Sequence, residues 1–203
     1  MLKHLRLLTT LGLVLAISTS LFAQPPNDSC HNALVVPLDL VVNFTTLGAT
    51  ADGPNHPDDC TSSGVAPDSL GADIWYLFTS PFTGIVRWNI CGTADFDTKI
   101  AVYNQGVGCT PTNEDLLACN EDANDDGGTA CLNSTSSVFF EVAEEATYLL
   151  RLGGWISPDS ASSGTGTFFI EEFEPPPTPE NDDCEDAIAI SLGTAQPVHN
   201  NIA

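Results

Sequence analysis

The sequence contains few basic residues. Its 203 residues include 5 Lys+Arg against 27 Asp+Glu, and no acidic residue precedes Asp28. Lys3 and Arg6 lie at the N-terminus, so the chain after residue 23 has 3 basic and 27 acidic residues, a charge of −24. The remaining basic residues are scattered: Arg87, Lys99 and Arg151. Because phosphate binding needs clustered Lys or Arg, the sequence argues against a nucleic-acid partner.

Long apolar runs are absent after residue 23, which argues against a membrane span in the rest of the chain. Residues 7–22 are apolar and uncharged, follow a short basic stretch and end at the small residue Ala23. This order is typical of a secretory signal peptide, and about 16 residues are few for a membrane span of roughly 20. We expect residues 1–23 to be a signal peptide and the remainder to be secreted or held at the cell surface. An uncleaved anchor, or cleavage after Ser20, is the alternative.

The sequence has no CxxC pair, so it suggests neither a zinc ribbon nor a thioredoxin-type site. In an oxidising compartment its cysteines are expected to form structural disulfides. Many pairings are possible, and we favour neighbours in sequence because each bond then closes a loop between predicted strands. The favoured pairs are Cys30–Cys60, Cys91–Cys109 and Cys119–Cys131, which leaves Cys184 unpaired.

An internal repeat explains the odd cysteine. The segment from Pro25 to Ala33 recurs from Pro179 to Ala187 with five matching residues at one offset of 154, and Leu38 matches Leu192 at the same offset. We therefore expect one domain over residues 24–173, a stiff proline-rich linker over 174–179 and a truncated start of a second copy over 180–203. A natural acidic tail is the alternative.

Helical periodicity is absent after the signal segment, and alternation predicts strands throughout. On the 85–90 segment Val86, Trp88 and Ile90 share one face, with Arg87 on the other. The predicted fold is all-β, a jelly-roll-like antiparallel β-sandwich with the aromatic residues mostly in the core. Trp155, in a Gly/Ser-rich loop, is the expected exposed exception. The predicted strands are 41–46, 74–80, 85–90, 99–103, 116–120, 137–142, 148–152 and 167–172.

Several motifs, taken in their order along the chain, resemble those of a known family. They are Asn27-Asp28-x-Cys30-x-x-Ala33, Ala49-Thr50-x-Asp52-Gly53, Asp73-Ile74-Trp75-Tyr76-x-Phe78, Asp97-Thr98-x-x-Ala101-Val102-Tyr103 and Thr147-Tyr148-Leu149-x-Arg151-Leu152-Gly153-Gly154. Over about residues 25–173 the chain resembles the bacterial pre-peptidase C-terminal domain, in the cysteine-containing version repeated in secreted proteins. The resemblance implies a non-catalytic β-sandwich attached to exported proteins, some of which bind calcium or extracellular polymers.

The clearest local pattern is acidic. Asp122, Asn124 and Asp126 alternate and are followed by Gly127, as in the first half of a calcium loop. The twelfth position is Asn133 rather than Glu, so an EF-hand is not expected. We expect either a calcium loop closed by Cys119–Cys131 or a solvated acidic hairpin loop.

A second calcium candidate is implied by the resemblance alone. Asn27 and Asp28 correspond to a segment that donates calcium ligands in some family members, and Asp73 corresponds to an Asp that assists it. The alternative role for all three is capping and turn formation.

No residue set predicts catalysis. The motif Pro67-Asp68-Ser69-Leu70-Gly71 is similar to an esterase block, but Pro replaces the required Gly, and no histidine stands in a suitable motif. We therefore expect a non-enzymatic extracellular module, stabilised by calcium, that binds an extracellular polymer or protein or acts as a spacer. The alternatives are an accessory domain of a secreted protease or other hydrolase, and a surface stalk without a ligand.

Overall fold

A computed structural model describes residues 23–54, 60, 70–104, 108–125, 127–157, 160–175, 177 and 185. The predicted signal peptide and second copy lie almost entirely outside these residues. The same is true of Asp126, His56 and the Asp68-Ser69 pair. Within the described ranges, no helix has the length and apolar character needed to cross a bilayer.

Two β-sheets form the fold, which confirms the predicted all-β sandwich. A five-stranded sheet has the order β1-β3-β8-β5-β6 and a four-stranded sheet has the order β2-β11-β4-β7, with a small β9-β10 hairpin beside them. All described pairings are antiparallel except that of β1 with β3. The strands are β1 (Leu34–Val36), β2 (Val42–Thr45), β3 (Gly71–Thr79), β4 (Gly84–Asn89), β5 (Thr98–Asn104), β6 (Leu116–Asn120), β7 (Ser137–Val142), β8 (Thr147–Gly154), β9 (Ile156–Ser157), β10 (Ser160–Ala161) and β11 (Thr165–Glu172). Short 3₁₀ helices lie at Cys30–Asn32, Asn113–Asp115 and Leu132–Ser134.

The main core lies between the two sheets and is built by alternation. On β4 the side chains of Val86 and Trp88 are fully buried, while Ile85 and Asn89 face outward and are partly exposed. On β11 Phe168 is fully buried and packs edge-on against Trp88, with ring centroids 5.7 Å apart. Burial of these large apolar surfaces is the main stabilising contribution to the sandwich.

A second, smaller core covers the outer face of the five-stranded sheet. Trp75, Tyr103 and Leu149 point away from the main core, yet each is almost fully buried. They pack with Cys30, which belongs to the N-terminal segment. This segment is bound to β3, since the Trp75 N–H donates to the Asn27 carbonyl at 2.9 Å. The five-stranded sheet is therefore covered on both faces.

All eight predicted strands are present, with ends within a few residues of the predicted ones. The sequence did not predict β1, which has only three residues and is followed by Pro37. It also did not predict the two-residue strands β9 and β10. Such short strands have no alternation long enough to recognise.

The predicted disulfide pairing is wrong, although all six cysteines are bonded. The bonds are Cys30–Cys109, Cys60–Cys119 and Cys91–Cys131. The reason is the strand order: β4 and β7 are antiparallel neighbours, so Cys91, shortly after the end of β4, lies near Cys131 in the segment before β7. The Cys30–Cys109 bond ties the N-terminal segment to the loop after β5. Sequence neighbours are not sheet neighbours in this topology.

Peptide mapping of the purified protein under non-reducing conditions should recover these three bonds. The sequence separations are 79, 59 and 40 residues, so each bond should stabilise the fold by about 4 kcal/mol through the unfolded state. A peptide pair containing Cys30 and Cys60 would contradict this topology.

Candidate functional site

An open cleft of about 650 Å³ lies at one end of the four-stranded sheet. It forms beyond the end of β4, where the segment that follows β4 takes the place of that strand as the neighbour of β11. The Thr167 N–H donates to the Thr93 carbonyl at 3.0 Å, and the Asp95 N–H donates to the Thr165 carbonyl at 3.0 Å. The cleft is lined by Asn43, Phe44, Gly92, Thr93, Ala94, Asp95, Asn133, Thr165, Gly166 and Thr167.

The polar groups of the cleft are held in place by the fold. The Asp95 carboxylate accepts hydrogen bonds from the Thr165 N–H at 2.7 Å and from its hydroxyl at 3.0 Å. Asn133 adopts a left-handed backbone conformation with φ 58°, which Asn tolerates well, and its amide donates to the Ala94 carbonyl at 2.8 Å. The side chain of Asn43 is exposed on β2. The result is a rigid surface of hydroxyl, amide and carboxylate groups.

No basic side chain lines the described cleft, and its single titratable group is Asp95. The basic residues after residue 23 are all buried: Arg87 is 8%, Lys99 1% and Arg151 0% exposed. Because positive side chains are withdrawn from the surface, an anionic ligand would meet only repulsion. The cleft suits a neutral ligand rich in hydroxyl groups, whose O–H groups can donate to Asp95 and Asn43.

No sequence pattern predicts this cleft. Its lining residues come from four segments separated by up to 124 positions, from Asn43 to Thr167. Asn, Asp and Thr at outward strand positions are also ordinary surface residues. They come together only because β11 pairs with β4 along one part of its length and with the segment after β4 along the other. No local sequence pattern predicts this change of pairing.

Asp73 lies at the centre of a buried ionic network rather than in an open site. Its carboxylate pairs with Arg151, whose Nε donates to Oδ2 at 2.5 Å, and both side chains are buried. Burial raises the pKa of Asp73 to about 6, although the Arg151 charge opposes this shift. Arg151 also lies over the Trp75 ring, 5.3 Å from its centroid, and donates to the Pro54 carbonyl.

Asn27 and Asp28, the other residues of the second calcium candidate, also make structural contacts. The Asn27 amide donates to the Trp75 carbonyl at 3.0 Å. The Asp28 carboxylate accepts the Thr50 N–H at 2.6 Å and its hydroxyl at 3.1 Å. These contacts fit the alternative role of capping and anchoring, because calcium would have to compete with them.

Gly53→Ala should destabilise the protein by disturbing the Arg151 network. An added Cβ would overlap the guanidinium group, which cannot move without losing Asp73 and leaving a buried charge unpaired. We expect the free energy of unfolding to fall by about 2–4 kcal/mol in urea denaturation. Gly127→Ala is the matched control, since its nearest neighbour would be Asp125 Oδ1 at 3.3 Å. Equal stability of the two variants would contradict this role of Gly53.

The predicted calcium loop lies between β6 and β7. Its turn is closed by Asp125, whose Oδ1 accepts the Gly127 N–H at 2.9 Å and the Thr129 N–H at 2.8 Å. The predicted Cys119–Cys131 bond that would close the loop is wrong: Cys131 ties the loop to Cys91 after β4, and Cys119 is bonded to Cys60. In the described part of the chain, no three His, Cys, Asp or Glu side chains converge as a metal site.

Asp97 is a residue near this loop that the sequence did not predict as a ligand. Its Oδ1 is buried and accepts no hydrogen bond within the described structure. Burial raises the pKa of Asp97 to about 7; the nearby charges of Asp122 and Glu121 raise it further, and Lys99 opposes them. An unpartnered buried carboxylate oxygen is costly in a folded protein, although Asp97 and the nearby acids do not converge as a ready-made metal site in the described structure.

Comparisons with known proteins identify the family. A model of the T9SS-associated family described as galactose binding domain-like matches residues 26–167, and the chain belongs to this family. No curated protein shows significant similarity to the chain.

Two of the similar solved structures show how low the sequence identity is. One is the pre-peptidase C-terminal domain of collagenase from Bacillus anthracis, with 9% identity, a TM-score of 0.38, and coverage of 68% of this chain and 93% of that chain. The other is an insecticidal delta-endotoxin from Bacillus thuringiensis, with 13% identity, a TM-score of 0.27, and coverage of 70% and 26%. The cysteine-containing repeat version of the pre-peptidase family stays a prediction.

Proposed function

We propose that this protein is a non-catalytic extracellular module that binds a neutral polysaccharide in the cleft between β2 and the 92–95 segment. The observation that carries the proposal is the cleft itself, a rigid polar surface without a positive charge. The family, described as galactose binding domain-like, supports a sugar as the ligand. The three disulfides support an oxidising, extracellular location.

The chemistry of the cleft favours binding over catalysis. Acid–base or nucleophilic catalysis needs at least two groups in contact, such as a nucleophile and its base. Among the described lining residues Asp95 is the one titratable group, and its carboxylate is engaged by Thr165. An accessory role beside the catalytic part of a secreted hydrolase is compatible with this binding function.

The purified protein should be slowed in native gels that contain galactan but not in gels that contain polygalacturonate. The two polymers have related sugars, but the second carries carboxylates that the acidic surface repels. Asn43→Ala should weaken galactan binding roughly tenfold, the loss expected from one or two hydrogen bonds. Asn113→Ala, an exposed Asn on a 3₁₀ helix outside the cleft, is the control.

The proposal fails if no neutral polysaccharide, including mannan, xylan and glucan, slows the protein. It also fails if Asn43→Ala binds as well as Asn113→Ala does.

We also propose that calcium binds beside the 121–131 loop. The orphaned Oδ1 of Asp97 supports this, and Asp122 lies near enough for its charge to act on Asp97. Asn124 remains a predicted ligand from the sequence. Asp126, which lies outside the described residues, remains a predicted ligand. When bound, the ion would neutralise local carboxylate repulsion, and extracellular sites of this kind need only a Kd on the order of 10⁻⁴–10⁻³ M.

Calcium should raise the melting temperature of the purified protein by a few degrees at a concentration of about ten times Kd, because binding to the native state adds about 1.4 kcal/mol. Magnesium should do less at the same ionic strength, since it holds its waters more tightly. The double substitution Asp97→Asn/Asp122→Asn should abolish the shift, while Asp39→Asn, an exposed control, should keep it. A shift that survives the double substitution would contradict the site.

A further inference from the structure

The outward side chains of β11 change in character along the strand. Phe168 and Ile170 point into the core, so the residues between and around them point outward. Near the cleft the outward residues are Thr165 and Thr167. Farther along β11 they are Phe169 and Glu171, and Phe173 follows just after the strand ends. The polar cleft therefore continues into an aromatic surface on the same face of the four-stranded sheet.

Phe139 on β7 is the most exposed ring of this aromatic surface. Its side chain is 46% exposed, although it lies on a regular strand rather than a loop. Its ring contacts that of Phe173, with centroids 4.5 Å apart and planes inclined at 56°. We call the contacting pair of Phe139 and Phe173 the aromatic platform; Phe169 lies on the same face and is partly buried. Contacting apolar rings at the surface mark an interaction site more often than isolated apolar residues do.

Arg87 holds the platform in place. Its guanidinium carbon lies 5.5 Å from the centroid of Phe139, and its Nε donates to the Ser137 hydroxyl at 3.0 Å. Its Nη1 lies 3.9 Å from Glu171 Oε1, so the positive charge is balanced on the same face. The Phe139 ring is thus positioned before any ligand arrives, which lowers the entropic cost of binding.

The distance between cleft and platform fits a chain rather than one sugar. Glu171 lies four residues beyond Thr167 on β11, which corresponds to about 13 Å along the strand. Register places Phe139 two strands away, opposite Arg87, which lies opposite Glu171, so the lateral distance is about 10 Å. The direct path from Thr167 to Phe139 is therefore roughly 16 Å.

We propose that one neutral glycan chain runs from the cleft to the aromatic platform and packs the apolar face of a pyranose ring on Phe139. This rests on the proposed polysaccharide function and adds to it that the ligand is an internal stretch of a chain. Continuity with the polar cleft and the balanced charge of Arg87 and Glu171 favour this occupant. An anionic polymer would find no uncompensated cation here, and a second copy of this protein would bring a net charge of the same sign.

Calorimetric titration with galactose, its disaccharide and a longer galacto-oligosaccharide tests the proposal. Wild-type affinity should rise with chain length. Phe139→Ala should leave the affinity for the short sugars unchanged and weaken that for the longer one roughly tenfold, the scale of one aromatic contact. Leu117→Ala is the matched control, because Leu117 is 49% exposed on β6 of the other sheet.

The outcomes separate the two proposals. If Asn43→Ala abolishes binding but Phe139→Ala keeps the full dependence on length, the platform proposal fails and the cleft stands. If no sugar of any length binds, both fail. Sedimentation of wild type and Phe139→Ala at high concentration adds a further criterion: a dimer that only the wild type forms would assign the platform to self-association and overturn the inference.

Discussion

The buried pair of Asp73 and Arg151 constrains the rest of the structure. A guanidinium group on the outer face of a sheet would normally reach solvent, but here both partners are almost fully buried. Burying a charge costs several kcal/mol unless every polar group is satisfied. The pair meets this condition because the Pro54 carbonyl, the Trp75 ring and the Tyr103 hydroxyl surround Arg151, and the Asp52 N–H donates to Asp73 at 3.3 Å. The 50–54 segment must therefore lie against β3 and β8.

That requirement makes the two sheets unequal. The N-terminal segment and the 50–54 segment cover the outer face of the five-stranded sheet, and the Cys30–Cys109 bond fastens the first of them. The four-stranded sheet has no such cover in the described structure, and its outer face presents Asn43, Thr167 and Phe139. One sheet is thus covered on both faces, while the other leaves its outer face open, and the proposed function places the ligand there. A binding surface on strands rather than on loops is positioned more exactly, at the cost of adaptability.

The sequence predicted the fold well because alternation is a local property. The 85–90 and 148–152 segments each show which residues face the core, and the structure confirms them. Alternation does not show what covers the outer face of a sheet. The pattern places Arg151 on the opposite face from Leu150, but it does not show whether Arg151 contacts water or a second core. The disulfide pairing and the cleft depend on strand order, which joins residues far apart in sequence. The sequence did not predict Asp97 for a related reason, since the nearby Glu121 and Asp122 lie in the loop after β6.

The distribution of charge connects the fold to its ligand. The strand pattern places Lys99 and Arg151 in the covered sheet and Arg87 beneath Phe139, so all three cations are used inside the protein. The surface is left with acidic side chains whose mutual repulsion opposes compaction. Such a surface favours two kinds of partner: cations that bind carboxylates, and neutral polymers that bind by shape and hydroxyl contacts. The proposed calcium site near Asp97 belongs to the first kind and the proposed polysaccharide cleft to the second, so the same absence of exposed positive charge favours both proposals.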